Sequence, residues 1–203
     1  MSKLTGYIYD IIMGPFERKK LHRIRYNLLS KAAGKVLEIG SGTGVNFPYY
    51  KEVTVTALEP DESMRERSLA KSKQSRASIE VRNGDAQELE FEDNTFDTVV
   101  GTLVLCTIPN PRQALKEIRR VCKPNGLILL FEHVRLEKGI TAKAQDILNP
   151  IWRKISGGCN LNRETISLLR EEGLVLTEVN EYLKGIFLSI EAVNQKDEKI
   201  ISV

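Results

Sequence analysis

Three glycines at alternate positions, Gly40, Gly42 and Gly44, follow the apolar run Val36-Leu37-Glu38-Ile39, and an acid, Glu59, ends a second β-branched run. Glycine at the tip of a strand lets backbone approach a ligand without a Cβ clash. An acid about twenty residues further on, at the tip of the neighbouring strand, is positioned to accept hydrogen bonds from both hydroxyls of a ribose. The pair therefore points to a nucleoside-containing cofactor. The spacing is GxGxG, with Val45 where a dinucleotide loop of the form GxGxxG has its last glycine. A pyrophosphate needs a helix N-terminus brought very close, whereas S-adenosylmethionine carries no phosphate and asks only for room beside its amino-acid tail. Gly84-Asp85-Ala86 adds an acid after a third strand: Asp85 can accept from an adenine amino group while the Ala86 N–H donates to the adjoining ring nitrogen. Pro60 and Met64 offer apolar surface to the adenine faces. Glu38, Ser41, Asn46, Thr102 and Leu103 complete the cofactor-binding candidates near the same strand tips.

A sulfonium is already an activated electrophile, so methyl transfer needs mainly alignment and exclusion of water, and no metal. A base contributes only where the acceptor is protonated: a thiol of pKa about 8.5 ionises readily, an alcohol does not. His133, at the end of a fifth strand, is the candidate base or acceptor partner. Cys106, after the fourth strand, stands near the expected methyl position and fits a buried core thiol as well. In similar enzymes the N-terminal region often closes the site, which would place Tyr7, Tyr9 and Asp10 in a lid, with Trp152 and Arg163 lining the site from the other side.

The elements that must hold these residues are legible in the patterning. Leu21, Ile24, Leu28 and Leu29 recur at helical spacing within residues 16–33, and Gly34 provides a stop. Arg18, Lys19, Lys20, Arg23 and Arg25 on this segment read as a solvated basic face. Short apolar strands are expected at residues 35–39, 53–58, 79–82, 96–101 and 127–131, with helices from near Asp61 and over 112–121 between them. Such alternation gives right-handed crossovers and a mainly parallel sheet, hence an α/β fold. Lys123-Pro124-Asn125-Gly126 reads as the turn into the fifth strand. Residues 135–160 form an insertion whose Ile147, Leu148, Ile151, Trp152 and Ile155 recur at helical spacing, expected to cover the site. A helix over 162–172, capped by Asn160 or Asn162, precedes strands at 174–180 and 185–193, a closing antiparallel pair.

The 203 residues allow one domain, with 1–34 as a helical lid. Thirty Lys and Arg against 27 Asp and Glu leave a net charge of +3, too small to imply a nucleic-acid partner. Three cysteines, with no CxxC pair and no histidine at ligand spacing, suggest neither a disulfide framework nor a zinc site, and fit a reducing, cytoplasmic setting. The apolar stretch at residues 7–13 is too short to span a bilayer and lacks a basic leader, so no signal peptide or membrane span is expected, and peripheral membrane contact has no support in the sequence. Nothing in the sequence fixes the oligomeric state.

"VLEIGSGTG", "ALEP", "NGDAQELEFEDNTFDTVV" and "LKEIRRVCKPNGLILLFEH", in this order across residues 35–133, resemble the class I S-adenosylmethionine-dependent methyltransferases, and among them the small-molecule branch that contains the quinone-biosynthesis enzymes. The resemblance implies a seven-stranded Rossmann-like sheet of order 3-2-1-4-5-7-6 with strand seven antiparallel. "TGVNFPYY", "TLVLCTIPNP", "FEHV" and "GGCNLNRETI" narrow it to the small thiol methyltransferases of animals and their bacterial relatives, while bacterial phospholipid N-methyltransferases are similar in their cofactor motifs. The animal proteins begin with a membrane-anchoring hydrophobic segment that has no match here. The Asn/Asp-Pro-Pro-Tyr/Phe motif of amino-methylating nucleic-acid enzymes is replaced by Leu103-Val104-Leu105-Cys106. The implied activity is methyl transfer to a small thiol, amine or oxygen nucleophile, against the alternatives of a phospholipid N-methyltransferase and a cofactor-binding regulatory module without turnover.

Overall fold

The fold was analysed in a computed structural model, which describes residues 21–136, 139–156 and 158–196. Residues 7–10, and with them the Tyr7, Tyr9 and Asp10 lid assignment, lie outside the described residues. Seven strands form one sheet in the order β3-β2-β1-β4-β5-β7-β6. They are β1 (Lys35–Ile39), β2 (Thr54–Leu58), β3 (Ser78–Arg82), β4 (Phe96–Thr102), β5 (Cys122–His133), β6 (Val175–Tyr182) and β7 (Phe187–Val193). The first five are parallel, and β7 runs antiparallel to both β5 and β6. This is the order the family resemblance implied.

Strand side chains alternate between faces, and the buried ones sort accordingly into two cores. Leu37, Ile39, Val99, Ile128 and Leu130 join one cluster, and Val36, Val100, Leu129 and Phe131 the other. The helix α1 (His22–Leu29) contributes Ile24, Leu28 and Leu29 to the second cluster. On the first, α3 (Pro111–Val121) buries Ala114, Leu115, Ile118 and Val121, and α5 (Thr165–Glu171) buries Leu169. Local chemistry starts the helices that follow strand tips. Asp61 accepts from Met64 N at 3.0 Å to cap α2 (Glu62–Ser72), and Asn110 accepts from Gln113 N at 3.2 Å to cap α3, with Pro111 at its first position.

Three expectations need correction. The turn at residues 123–126 lies inside β5, whose pairing with β4 jumps from Phe96↔Cys122 to Thr98↔Leu127. Asn125 takes φ +59° there, and the bulge is held by Asn194, whose Nδ2 donates to the carbonyls of Cys122 (2.8 Å), Arg119 (2.9 Å) and Lys123 (3.3 Å). The α5 helix starts at Thr165 without a side-chain cap, because Asn160 bonds the Cys106 carbonyl and Asn162 bonds Asp146 instead.

The third correction concerns α4 (Ile140–Ile155), which is amphipathic with its polar face turned inward. Gln145 donates to Val134 O and Leu161 O, Asp146 pairs with Arg135, and Asn149 accepts from Leu161 N. Gln145, Asp146 and Asn149 sit at i, i+1 and i+4, so the residues between them point away from the body. Ile147, Leu148, Ile151, Trp152 and Ile155 are all exposed, Ile147 by 75%. No helix among the described residues is long and apolar enough to cross a membrane.

The turn that follows β4 is fastened by Glu132 of β5, a fully buried carboxylate. Its Oε1 accepts from Val104 N and Leu105 N, each at 3.0 Å, while its Oε2 is buried with no hydrogen-bond partner. Burial, opposed by those backbone donors, raises its pKa from 4.5 to about 8. The folded protein thus binds this proton more tightly than the unfolded chain, so the unfolding free energy declines as pH rises from about 4.5 to about 8 and levels off above. Glu132→Gln keeps the acceptor oxygen and removes the titration: urea denaturation at mildly acidic and mildly alkaline pH should show a shallower decline in the variant, and an equal decline would assign it to another group. At the bulge, Asn194→Ala strands several buried carbonyls and should lower the unfolding free energy by about 2–3 kcal/mol, read from the same denaturation curves.

Candidate active site

Because β1 to β5 are parallel, their carboxyl ends Ile39, Leu58, Arg82, Thr102 and His133 lie along one edge of the sheet. Such an edge is where open α/β sheets take ligands. The glycine turn begins there with Gly40, Gly42 and Gly44 at φ +61°, +56° and +74°. A Cβ on Gly40 would lie 2.3 Å from Val104 Cγ2, so this glycine lets the turns after β1 and β4 touch. A Cβ on Gly42 would meet nothing within 4 Å: the backbone borders open space, as a cradle for a ligand requires.

Glu59 is buried at the tip of β2. Its Oε2 accepts from Gly42 N at 2.8 Å and its Oε1 from Asp61 N at 3.0 Å, so the acid joins the glycine turn to the start of α2. Burial raises its pKa, and the two backbone donors pull against that. Each oxygen retains acceptor capacity for a hydroxyl. Ser41 is fixed by Leu58 O (2.9 Å to its N–H) and by a 3.1 Å contact with the Ser68 hydroxyl. Pro60 is exposed beside Glu59, and half-buried Met64 opens α2.

Asp85 follows β3 on the same edge and is exposed, with its carboxylate held by Gln87 through the backbone N–H at 2.8 Å and the side-chain amide at 2.9 Å. Ala86 is buried next to it. Glu38, by contrast, is fully buried on β1, with Oε1 taken by Asn46 Nδ2 and Oε2 by Tyr50 OH, each at 2.8 Å. Burial raises its pKa to about 7. Here Glu38 anchors Asn46 from within.

Arg25 was read as part of a solvated basic face, and the structure overturns this. It is 2% exposed, and its Nη1 donates to Asn46 Oδ1 at 2.8 Å and to the Thr102 hydroxyl at 2.7 Å. Its guanidinium also stands 5.5 Å from the Phe131 ring centre. Asn46 Nδ2 reaches the same Thr102 hydroxyl at 2.9 Å, so α1, the glycine turn and β4 are joined beneath the edge. Tyr50, the other residue of this network outside the site candidates, ends the motif "TGVNFPYY" but has no spacing that marks it as a partner of Glu38. Arg25 did carry a spacing signal, standing four residues from both Leu21 and Leu29 on the apolar stripe.

On the β4 and β5 side, Leu103 turns the chain at φ +54° with its N–H donating to Phe131 O at 2.7 Å. Cys106 is buried just beyond. His133 is half-buried against the edge of the Phe187 ring, and its buried Nδ1 has no hydrogen-bond partner. Burial lowers its pKa, so the imidazole is neutral at neutral pH. Arg163 Nη2 donates to Cys106 O (3.2 Å) and Ile108 O (2.9 Å), whereas Trp152 stands 39% exposed on α4. A concavity of about 310 Å³ beside α5 is lined by Arg112, Asn160, Asn162 and Arg163 and by none of the cofactor candidates. No group of three His, Cys, Asp or Glu that could hold a metal occurs among the described residues.

A methyltransferase-domain family model matches residues 37–130, which run from within β1 to within β5. The human thiol S-methyltransferase TMT1B is 35% identical over 167 residues, covering 76% of this chain and 68% of that protein. The phosphatidylethanolamine N-methyltransferase of Cereibacter sphaeroides is 33% identical over 144 residues, covering 70% of each. The chain spans only about half, 55%, of the rat thiol S-methyltransferase TMT1B, to which it is 39% identical. Among solved structures, a SAM-dependent methyltransferase from Aquifex aeolicus has a TM-score of 0.68 at 17% identity over 95% of this chain and 98% of that one, a likeness of fold. With this identity over two thirds of a relative's length, and a glycine turn beside a ribose-spaced acid, the chain belongs to the class I S-adenosylmethionine-dependent methyltransferases.

Proposed function

We propose that this chain methylates a small thiol, with Glu59 holding the ribose of S-adenosylmethionine, Asp85 and Ala86 the adenine, and residues 40–44 the methionine portion. The observation that carries the cofactor roles is Gly42, whose Cα side borders open space while its N–H donates to the buried Glu59 carboxylate at 2.8 Å. The choice of a thiol rests on the 35% identity to a thiol S-methyltransferase along 167 residues.

When bound, S-adenosylmethionine supplies a methyl carbon already made electrophilic by the sulfonium. The protein's part is then alignment and the removal of one proton. Neutral His133, at the tip of β5, takes the thiol proton. A thiol of pKa about 8.5 yields it to an imidazole at modest cost. Buried Val104 and Leu105 exclude water on the β4 side, and Cys106 and Arg163, joined through the Cys106 carbonyl, bound the acceptor space.

A second reading, methylation of a phospholipid amine, is favoured by the bacterial relative and by the exposed apolar face of α4. Labelled S-adenosylmethionine offered with a panel of thiols, and separately with phosphatidylethanolamine vesicles, discriminates the two. We expect labelled thioether only. Label in the lipid would replace the thiol by the amine, and tight cofactor binding with no label transferred would leave a regulatory module.

Asp85→Ala tests the adenine assignment. Because the carboxylate is exposed and shared with Gln87, its loss should weaken S-adenosylhomocysteine binding by about 1–2 kcal/mol, or about 5- to 30-fold. Unchanged calorimetric affinity would remove Asp85 from the cofactor site.

A further inference from the structure

Two thiols that the proposed transfer does not consume meet beside the turn after β4. Cys106 lies buried in that turn, and Cys159 stands half-buried after α4. Asn160 holds the second segment against the first: its backbone N–H and its Nδ2 both donate to Cys106 O at 2.9 Å, and Arg163 Nη2 reaches the same oxygen at 3.2 Å. A backbone hydrogen bond from the residue next to Cys159 onto Cys106 itself brings the two α-carbons toward the separation that a disulfide bridges, about 4.4–6.8 Å. The two thiols are near enough to shift each other's ionisation, and the Cys106 Sγ donates to Leu103 O at 3.6 Å within its own turn.

The charges around the pair differentiate its members. The neighbouring Cys106 thiol lowers the Cys159 pKa against the effect of burial, helped by Trp152 and by the Arg163 guanidinium. Cys106 is pushed up by the neighbouring Cys159, by burial and by buried Glu132, with Arg163 opposing. Cys159 is therefore the accessible nucleophile and Cys106 the thiol waiting behind it.

We propose that Cys106 and Cys159 are an oxidisable pair, which a peroxide or a low-molecular-weight disulfide converts into an internal disulfide fastening residues 158–163 to the turn after β4. With hydrogen peroxide, the Cys159 thiolate attacks one oxygen, the O–O bond breaks, and Cys159 becomes a sulfenic acid as hydroxide leaves. The Cys106 sulfur then attacks the Cys159 sulfur, the S–O bond breaks, and the Cys106 proton leaves with the oxygen as water. Two thiols have lost two electrons, and the peroxide has been reduced to two waters. With a small disulfide, Cys159 forms the mixed disulfide and Cys106 displaces the second small thiol. Neither route depends on the identity of the methyl acceptor.

The test is peptide mapping by mass spectrometry of the intact protein, treated with stoichiometric peroxide or oxidised glutathione under non-reducing conditions. The expected product is a single cross-linked peptide joining Cys106 to Cys159, lighter by two hydrogens and restored by dithiothreitol, with Cys122 left as free thiol. Cys159→Ser should abolish the cross-link, and Cys106→Ser should halt Cys159 at a dimedone-reactive sulfenic acid or a stable mixed disulfide. A native protein in which Cys159 ends as sulfinic acid, pairs between chains, or stays reduced while Cys122 reacts would overturn the proposal. The native map needs no variant, so a misfolded Cys106→Ser protein leaves the test intact.

Discussion

A carboxylate buried on the central strand has to be met by donors, since an unpaired charge or polar group in a core is costly. Glu38 imposes that requirement here. Meeting it draws in Asn46 from beyond the glycine turn and Tyr50 from the segment leading to β2, and Asn46 in turn engages Arg25 and Thr102. The α1 helix, residues 38–50 and β4 are thereby fixed to one another under the edge where the glycine turn emerges. Removing any member leaves the others desolvated, which is why such a network holds a loop more rigidly than its number of bonds implies.

The opposite side of the edge is organised in the same way. Glu132 on β5 receives the backbone N–H groups of Val104 and Leu105. One acid thus sets the turn after β1 and another sets the turn after β4. Between them lies Gly42 with its open face. Glu59 adds a third link, from β2 to the glycine turn. The turns after β1 and β4 are anchored to the sheet by acids as well as by apolar packing.

Much of this was legible from residue types and spacing. Strands buried on both faces read as short apolar runs, and Gly40, Glu59 and Asp85 could be placed at a common edge because consecutive βαβ units bring strand tips together. The illegible parts were those where side chains override local pattern. Arg25 lies on the apolar stripe of its helix but has the composition of a surface residue, and only its tertiary partners explain its burial. The α4 helix has ideal spacing for a covered apolar face, yet Gln145, Asp146 and Asn149 find partners in the body and turn it around. Asn194 lies far in sequence from the bulge it secures, so residues 123–126 read as a free turn. Asp85 was placed correctly at the edge, but its exposure and its bond to Gln87 were not foreseeable from the motif.

The contact between Gly40 and Val104 has an evolutionary corollary. With only 2.3 Å between a notional Cβ and the valine methyl, and a left-handed backbone at position 40, no ordinary side chain can enter there while Val104 keeps its size. Drift at the first position would have to follow shrinkage at the second, and even then a conformational penalty would persist. The two sites are coupled like a ratchet: the distant partner can vary among small residues, while the glycine has no neutral path away from itself.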